Sequence, residues 1–307
     1  MFFKRAINII NYYFDKPRKL STTFLRKYGF FIPDKLYLSI YYRIKFGKKL
    51  DWENPKSFNE KLQWLKLYDR RPEYTVFCDK YRVRDYIAKT IGEEYLIPLL
   101  GVWDSPDDID FGKLPNQFVL KCNHDSGGIC FCKDKLKFDI KLAVKQLKNS
   151  LKNDYFFSGR EWAYKNISRK IIAEKYMQEK DNDELTDYKF FCFNGEPKFL
   201  YVSSGLSYHP TARISFLTLD WNFAPFKRID YKSFEELPIK PTHFNNMLYI
   251  ARKLSKNIPF IRVDLYEIDN KVYFSELTFF PCGGLIEFEP SIYDLVLGSL
   301  IKLPQKK

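Results

Sequence analysis

The sequence predicts an α+β protein, in which a helical N-terminal part is followed by antiparallel β-hairpins interspersed with helices. Apolar residues recur at helical spacing up to about residue 70, and after about residue 95 they form short strand-like runs. Turn signals such as Asn-Gly separate neighbouring runs, as they do in hairpins. With 307 residues, 45% hydrophobic and 29% charged, the chain has globular composition and the length for a sizeable core.

Two helix signals stand out in the first seventy residues. Ile32-Pro33-Asp34 precedes a helical run over residues 35–46. Ser57 and Glu60 form a capping box, because the Ser hydroxyl and the Glu carboxylate can satisfy each other's exposed backbone donors at a helix start. A further helix is predicted over residues 79–90.

The extreme N-terminus carries an apolar stripe flanked by basic residues. Its members are Phe3, Ile7, Ile10 and Phe14. Such a stripe can lie on an anionic membrane surface or pack on the rest of the protein, and packing is the commoner case. No small-residue cleavage site follows, and no run approaches the roughly 18 apolar residues of a spanning helix. The sequence therefore predicts a cytoplasmic protein, with peripheral contact at the inner face of the membrane as an alternative.

After residue 95 the sequence predicts short strands, hairpin turns and two more helices. The strands fall at residues 95–100, 117–123, 129–133, 171–177, 187–193, 198–203, 213–219, 260–267 and 271–279, and the helices at residues 140–151 and 242–256. The turns include Gly127-Gly128, Asn194-Gly195 and Asp269-Asn270.

The charge of the chain is strongly positive. Lys and Arg number 51 against 38 Asp and Glu, a net charge of +13. Such an excess suits nucleic acid, an anionic membrane surface or anionic substrates. The basic residues are spread along the chain without a helix-turn-helix, zinc-finger or RNP pattern, so nucleic acid is not expected. Six cysteines without a CxxC pair and three scattered histidines indicate reduced thiols and argue against zinc.

A lysine stands at the mouth of a glycine loop in the first hairpin. Lys121 ends a strand, and Ser126, Gly127 and Gly128 follow. Glycine backbones can approach and cradle phosphate, and a lysine supplies a charge for phosphate oxygens. The loop lacks both the GK[ST] of a P-loop and the glycines of a dinucleotide fingerprint, so by itself it is more often an ordinary turn.

The last hairpin predicts a pair of carboxylates. A turn centred near Asn270 places Asp264 opposite Glu276, and alternation puts Thr278 on the same face. Carboxylates this close repel unless a cation separates them, and hard oxygen ligands suit Mg²⁺. Arg262 shares the face of Asp264, so an Arg–carboxylate cluster on a solvated sheet is the competing interpretation. Phe274 is also expected on this face, which indicates partial burial and favours magnesium.

Three further sites in the sequence each have a purely structural interpretation as well as a functional one. The segment Glu174 to Met177 is either a strand end or a hinge whose backbone meets a planar ring. Asp187 and Lys189 share a strand face, where an ion pair is the plain interpretation. Lys80 begins a predicted helix and by itself resembles any surface lysine.

In their order and spacing, these residues resemble the nucleotide site of the ATP-grasp superfamily and, more narrowly, the TupA-like ATP-grasp family of bacterial polysaccharide gene clusters. The resemblance covers roughly residues 50–290, with matching segments at Asn54 to Trp64, Asp187 to Gly195 and Ser275 to Phe279. It implies the ATP-grasp fold, in which two α+β subdomains clamp ATP. The implied parts are a helical N-terminal segment (1–70), a linker subdomain with the first ATP lysine (71–115), a small subdomain with the glycine loop and hinge (116–177) and a large subdomain with the magnesium site (178–307).

The resemblance also implies ATP and Mg²⁺ as cofactors and assigns residues to them. The implied ATP contacts are Lys80, Lys121, Ser126, Gly127, Gly128, Glu174, Lys175, Tyr176, Met177, Asp187 and Lys189. The implied magnesium ligands are Asp264, Glu276 and Thr278, the last standing where most ATP-grasp sites carry Asn. Arg262 and Arg213 are assigned to catalysis, Arg213 as a holder of phosphate or acyl-phosphate on a poor motif match.

The implied reaction joins a carboxylate to an amine through an acyl-phosphate. The expected partners are a uronic acid, within a glycan or linked to a nucleotide or lipid, and an amine such as an amino acid, in surface-polysaccharide biosynthesis. Phosphoryl transfer needs positioning and charge neutralisation, which lysines, an arginine and Mg²⁺ supply.

Two other classes of function remain as alternatives. A glycosyltransferase of the same pathway would need a sugar-nucleotide site, but the DxD-like Asp181-Asn182-Asp183 lies in a polar loop away from any strand end. A non-catalytic membrane-surface module would have no need of the lysines and carboxylates together. Consumption of ATP, of a nucleotide sugar or of neither separates the three classes.

Overall fold

The structure of the protein, a computed structural model, describes residues 17–179, 185–206 and 211–306, with side chains from residue 21 onward. The apolar stripe Phe3 to Phe14 and the loop segment Asp181 to Asp183 lie outside these residues. Within the described ranges, no helix is long and apolar enough to cross a membrane.

Helices dominate residues 17–90, the part of the N-terminal region that the structure describes, as predicted. In chain order the α-helices are α1 (Pro17–Tyr28), α2 (Asp34–Phe46), α3 (Phe58–Tyr68), α4 (Pro72–Cys78), α5 (Val83–Thr90), α6 (Ile140–Lys152), α7 (Phe156–Gly159), α8 (Phe244–Ser255) and α9 (Tyr293–Ser299). The capping box of α3 is confirmed: Ser57 Oγ accepts the N–H of Glu60 at 3.2 Å, and the Glu60 carboxylate accepts the N–H of Ser57 at 3.0 Å.

The predicted helix over residues 79–90 is only partly correct. Helix α4 ends at Cys78 and α5 starts at Val83, with a turn between them. Asp79 makes this turn, because its side chain accepts the N–H groups of Tyr81 and Arg82 at 2.9 and 3.1 Å. The sequence prediction missed α4, although a proline at its first position is a known start signal.

The strands form two larger antiparallel sheets and a small one. They are β1 (Leu99–Trp103), β2 (Phe118–Cys122), β3 (Ile129–Cys132), β4 (Ile171–Lys175), β5 (Asp187–Phe193), β6 (Glu196–Ser204), β7 (Arg213–Thr218), β8 (Lys227–Arg228), β9 (Phe260–Ile268), β10 (Lys271–Thr278) and β11 (Phe288–Glu289). The four-stranded sheet has the order β1-β4-β2-β3, the five-stranded large sheet has the order β10-β9-β5-β6-β7, and β8 pairs with β11. The predicted α+β architecture is therefore confirmed.

Alternation along β2 separates a core face from a polar face in the four-stranded sheet. Phe118, Leu120 and Cys122 are buried in one hydrophobic cluster with Ala143 and Leu147 of α6. The side chains between them, including Lys121, point to the other face. The sheet thus directs its lysine away from its own core.

The five-stranded sheet is covered on both faces. On one face Phe190 lies 6.0 Å from Phe244 of α8, ring centre to ring centre. On the other, Phe58 of α3 packs edge-on to Phe260 at 4.9 Å and contacts Phe193. This second face is aromatic under α3 and becomes polar further along the strands, where the candidate site lies.

The last hairpin contains a β-bulge that the turn arithmetic did not foresee. Phe274 pairs with Leu265, but Glu276 pairs with Asp264, so the register shifts by one residue at Ser275. The predicted opposition of Asp264 and Glu276 is confirmed. The prediction for Phe274 is wrong: its partner Leu265 lies on the opposite face from Asp264, because the bulge breaks the strict alternation of β10.

Candidate active site

A buried polar turn joins the two predicted phosphate lysines. Asp79 accepts a hydrogen bond from the side-chain amide of Asn123 at 2.8 Å, and the backbone N–H of Lys80 donates to the Asn123 carbonyl at 3.1 Å. Asn123 directly follows β2, the strand of Lys121. The ammonium of Lys80 donates to the backbone carbonyl of Asp125. The start of α5 is thereby tied to the mouth of the glycine loop.

Lys121 and Glu174 face each other across β2 and β4. Lys121 Nζ lies 2.6 Å from Glu174 Oε2, and Arg84 Nη1 lies 3.3 Å from Oε1 of the same carboxylate. The side chains of Lys121 and Glu174 are 17% and 9% exposed. Sequence reasoning missed Arg84, which comes from α5 and also donates to the Ile97 carbonyl at 2.8 Å. The predicted hinge glutamate is therefore held by two cations.

The surroundings of Lys80 suit an anionic ligand. Burial lowers the pKa of Lys80, the charge of Lys121 lowers it further, and the carboxylate of Glu276 acts in the opposite direction. Two ammonium groups close to one another repel, and a phosphate beside both would relieve that repulsion. Lys121 comes from the four-stranded sheet, Glu276 from the five-stranded sheet and Lys80 from the turn before α5. The fold therefore brings these three charged groups close together.

Arg262 lies between the two carboxylates predicted to hold magnesium. Its Nε lies 2.7 Å from Asp264 Oδ1, and its Nη2 lies 2.6 Å from Asp264 Oδ2 and 3.0 Å from Glu276 Oε1. Lys189 Nζ contacts Asp264 Oδ2 at 2.8 Å and Asp187 Oδ1 at 2.9 Å, so the Asp187–Lys189 ion pair is present, and contact of either residue with ATP stays a prediction. Asp264 is fully buried, and both of its oxygens accept from cations.

Glu276 has a different environment from Asp264. Its Oε1 accepts from Arg262 and from Thr278 Oγ1 at 3.1 Å, and its side chain is 39% exposed. Burial alone would raise the pKa of Glu276, but the charges of Arg262, Lys189 and Lys80 lower it to about 2. Glu276 is therefore ionised at neutral pH, and within the described residues no hydrogen-bond donor contacts its Oε2.

The oxygen donors present fit a magnesium ion held chiefly by Glu276. In the part of the chain that the structure describes, no group of three or more His, Cys, Asp or Glu side chains could hold a metal. Mg²⁺ often uses one or two carboxylates and completes its octahedron with phosphate oxygens and water. Glu276 offers a carboxylate oxygen, whereas the Thr278 hydroxyl donates to Glu276 and accepts from Arg262 Nη2 at 3.0 Å, so Thr278 as a ligand stays a prediction. Asp264 as a ligand stays a prediction that requires Arg262 and Lys189 to release one of its oxygens.

A cavity of about 410 Å³ opens beside Glu276. Its size is typical of small-molecule sites. Residues from α1, α2, the glycine loop and the segments 155–164 and 280–285 line it: Arg26, Tyr41, Lys80, Asp125, Ser126, Tyr155, Ser158, Gly159, Glu161, Tyr164, Arg262, Glu276, Thr278, Phe280, Pro281, Cys282, Gly283 and Leu285. The N-terminal helices thus contribute to the site, which the sequence did not indicate.

The glycine loop borders this cavity, but one of its glycines serves packing. A Cβ on Gly128 would lie 2.2 Å from Ser150 Oγ, while a Cβ on Gly127 would meet open space. The Asp125 carboxylate accepts from the Ser150 hydroxyl and from the N–H of Gly128. Ser126 Oγ lies 3.2 Å from the Tyr155 hydroxyl at the cavity wall. Only Gly127 therefore keeps the freedom to approach a ligand.

Some predicted residues lie apart from the cavity. Arg213 begins β7, where its guanidinium donates to two backbone carbonyls of its own loop at 3.2 and 3.3 Å. Alternation along β7 puts Arg213 on the face of the large sheet opposite Arg262. Lys175 is exposed at the end of β4, whereas Tyr176 is buried, and Met177 follows it. The catalytic role of Arg213 and the hinge roles stay predictions.

The chain matches the family model for TupA-like ATP-grasp proteins over residues 60–302. No curated protein matches it. Among solved structures it is similar to the D-alanine–D-alanine ligase of Bacillus anthracis complexed with ATP, at 15% identity over 66% of this chain and 54% of that one, TM-score 0.38. The chain therefore spans about half the length of that ligase.

Two further solved structures show distant similarity. The D-alanine–D-alanine ligase of Helicobacter pylori shares 16% identity over 80% of this chain and 70% of that chain, TM-score 0.40. A RimK domain ATP-grasp protein of Sphaerobacter thermophilus shares 8% identity over 76% of this chain and 70% of that chain, TM-score 0.42. The family model, by contrast, spans the segments that carry Lys80, Lys121, Glu174 and Glu276.

Proposed function

Because the chain belongs to the TupA-like ATP-grasp family, we propose that it joins a carboxylate to an amine in an ATP-dependent reaction that passes through an acyl-phosphate. ATP and Mg²⁺ are the cofactors of the ATP-grasp superfamily. The observation that carries the proposal is that Lys80 and Glu276, from separate elements, line one cavity, and that Lys121 is near enough to Lys80 for its charge to lower the pKa of Lys80.

The proposed roles follow from charge and burial. Lys80 and Lys121 attract and orient the phosphates of the nucleotide. Magnesium, when bound, neutralises negative charge on the phosphate oxygens, and Glu276 and Thr278 are the residues that would hold it. Arg262 fixes the Glu276 carboxylate in place through the contact of 3.0 Å. The substrate carboxylate attacks the γ-phosphorus, ADP leaves, and the amine then displaces phosphate from the acyl-phosphate.

We further propose a uronic acid as the carboxylate substrate and an amino acid or other amine as its partner, in the biosynthesis of a surface polysaccharide. The gene-cluster setting of the family supports the pathway. A net charge of +13 favours an anionic glycan, whether free, nucleotide-linked or lipid-linked. The cavity of about 410 Å³ has room for a sugar acid.

Release of ADP tests the proposal. The full chain is incubated with Mg²⁺ and ATP and a panel of uronic acids, each combined with each common amino acid, and ADP is measured by a coupled assay. We expect ADP release that requires both an acid and an amine, together with an amide product by mass spectrometry. Consumption of a nucleotide sugar without ADP release would contradict the proposal.

A further inference from the structure

Glu161 is a buried carboxylate on the wall of the active-site cavity. It follows α7 and is 7% exposed. It lines the same cavity as Lys80, Arg262 and Glu276. The roles proposed above for nucleotide and magnesium leave it without a function, and no sequence motif indicated it.

The protein around Glu161 offers its carboxylate few hydrogen-bond donors and no close cation within the described residues. Within the described residues it accepts no hydrogen bond and forms no ion pair within 4.0 Å. Lys66 lies behind it, but the Lys66 ammonium donates to the carbonyls of Gly159 at 2.8 Å and Gly283 at 2.7 Å. A Cβ on Gly283 would lie 3.9 Å from Glu161 Oε1 and 4.0 Å from Lys66 Nζ. The Glu161 side chain borders the cavity, where water or a ligand can supply the donors that a largely buried carboxylate needs.

The rest of the cavity divides into an anion-binding and a cation-binding side. Lys80 supplies positive charge on the side of the glycine loop, whereas Arg262 of β9 is already paired with Asp264 and Glu276 and Arg26 of α1 also lines the cavity. Glu161 supplies negative charge on the side of Gly159 and Gly283. A ligand that brings an anionic phosphate or carboxylate to the first side and a cation to the second would match this division.

We propose that Glu161 binds the ammonium group of the amine substrate and accepts its proton, so that the amine is neutral when it attacks the acyl-phosphate. The inference rests on the proposed ligase function and adds the second substrate's binding site to it. An ammonium has three N–H donors and no acceptor, which is what an unpaired buried carboxylate requires.

Glu161 takes the first of the two protons that amide formation releases from the ammonium group. The ammonium gives one proton to the Glu161 carboxylate, and the freed lone pair forms the C–N bond with the acyl-phosphate carbonyl carbon. The C–O bond to phosphate breaks, and its electron pair leaves with the phosphate. The remaining extra proton on nitrogen passes to the departing phosphate or to solvent, which gives the neutral amide.

The electrostatics of Glu161 agree with this role. Burial raises the pKa of Glu161 to about 7, against the lowering effect of the Lys66 and Arg26 charges. The titratable and charged groups that influence it or are influenced by it are Arg26, Tyr41, Lys66, Cys78, Tyr155 and Tyr164. A base whose pKa lies near the working pH is effective in proton transfer.

Amine binding tests the inference without any turnover. The twenty common amino acids and ethanolamine are titrated by calorimetry at millimolar concentration into the full chain saturated with ADP and Mg²⁺. We expect at least one amine to bind the wild type and to bind Glu161→Gln about ten- to hundredfold more weakly. Glu236→Gln, which removes an exposed carboxylate outside the cavity lining, should bind amines as the wild type does.

Controls separate binding from folding and from the proposed function. Melting curves check that each variant folds, and Glu161→Asp, which keeps the charge, should bind the amine more tightly than Glu161→Gln. Equal amine affinity of Glu161→Gln and the wild type, or no amine bound by wild type that binds ADP, would overturn the inference. If amines bind through Glu161 but no carboxylate triggers ADP release, the ligase function fails and the amine site stands.

Discussion

At the scale of single residues, charge compensation organises the site. Asp264 is fully buried and shared by Arg262 and Lys189, whereas Glu276 keeps an oxygen free toward the cavity. A fully paired carboxylate is a structural anchor, because removing either partner leaves a buried charge. A partly paired one retains capacity for a metal. The two acids of the last hairpin therefore have different electrostatic surroundings in this structure, although both were predicted to be magnesium ligands.

We expect Glu276→Gln to abolish turnover while most nucleotide affinity survives. Gln keeps the shape and a hydrogen bond to Arg262, but it removes the negative charge that would hold Mg²⁺. The charge that develops in phosphoryl transfer would then be less well neutralised. The measurements are ADP release at limiting Mg²⁺ and ATP binding by calorimetry, with the exposed Glu235→Gln as control. A wild-type rate for Glu276→Gln would remove this residue from the metal site.

Lys121→Ala should weaken ATP binding about ten- to hundredfold, the size of one charged hydrogen bond to phosphate. The fold should persist, because Arg84 still contacts the Glu174 carboxylate at 3.3 Å once Lys121 is gone. Calorimetry of ATP binding measures the effect, and Lys137→Ala, a lysine of the same subdomain with an 86% exposed side chain, is the matched control. Equal ATP affinity of the two variants would contradict the assignment of Lys121 as a phosphate contact.

At the scale of elements, a single arginine connects the N-terminal helices to the cavity. Arg160 adopts a left-handed conformation at φ 54° after α7. Its Nη2 donates to the carbonyls of Gly29, Phe30 and Ile32 at 2.6, 3.3 and 3.2 Å, and its guanidinium lies 4.4 Å from the Tyr37 ring centre. The segment between α1 and α2 is therefore fastened directly beside Glu161.

Arg160→Lys should destabilise the protein by about 2–4 kcal/mol, because an ammonium cannot reproduce the planar fork and leaves buried carbonyls unpaired. Urea denaturation measures the loss. The control is Arg169→Lys, whose side chain is 35% exposed and pairs with Asp154 at 3.3 Å; it should cost less than about 1 kcal/mol. Equal losses for both variants would show that Arg160 does not anchor these helices.

At the scale of the whole molecule, we propose that the two sheets contribute opposite halves of one nucleotide site. The four-stranded sheet presents Lys121 and Glu174, and the five-stranded sheet presents Arg262 and Glu276. The turn at Asp79 joins them through Asn123. A ligand that contacts both halves should stabilise their arrangement, because it binds the folded chain and not the unfolded one.

ATP with Mg²⁺ should therefore raise the melting temperature. At about a hundred times the dissociation constant the expected stabilisation is about 2.7 kcal/mol, which corresponds to several degrees. Removal of Mg²⁺ with EDTA should reduce the shift. The same nucleotide concentration should shift Lys121→Ala less than the wild type. An unchanged melting temperature at saturating nucleotide would contradict the proposal that ATP binds between the two sheets.

Local patterns in the sequence determined most elements, the opposition of Asp264 and Glu276, and the family. The capping box at Ser57, the strand Asp187 to Phe193 and the opposition of Asp264 and Glu276 depend on a few neighbouring residues, whose geometry follows from backbone periods and turn types. Such local signals can be recognised in the sequence without knowledge of the rest of the chain.

Only the tertiary structure decided how charges are paired and which residues share the cavity. Arg84 contacts Glu174, Lys80 and Glu276 line one cavity, and Glu161 faces the same cavity near Lys66, although these groups are far apart along the chain. No local period encodes such contacts, because they depend on how separate elements pack against one another. The bulge at Ser275 also depends on contacts between separate elements, because strand pairing and the packing of both faces select the register.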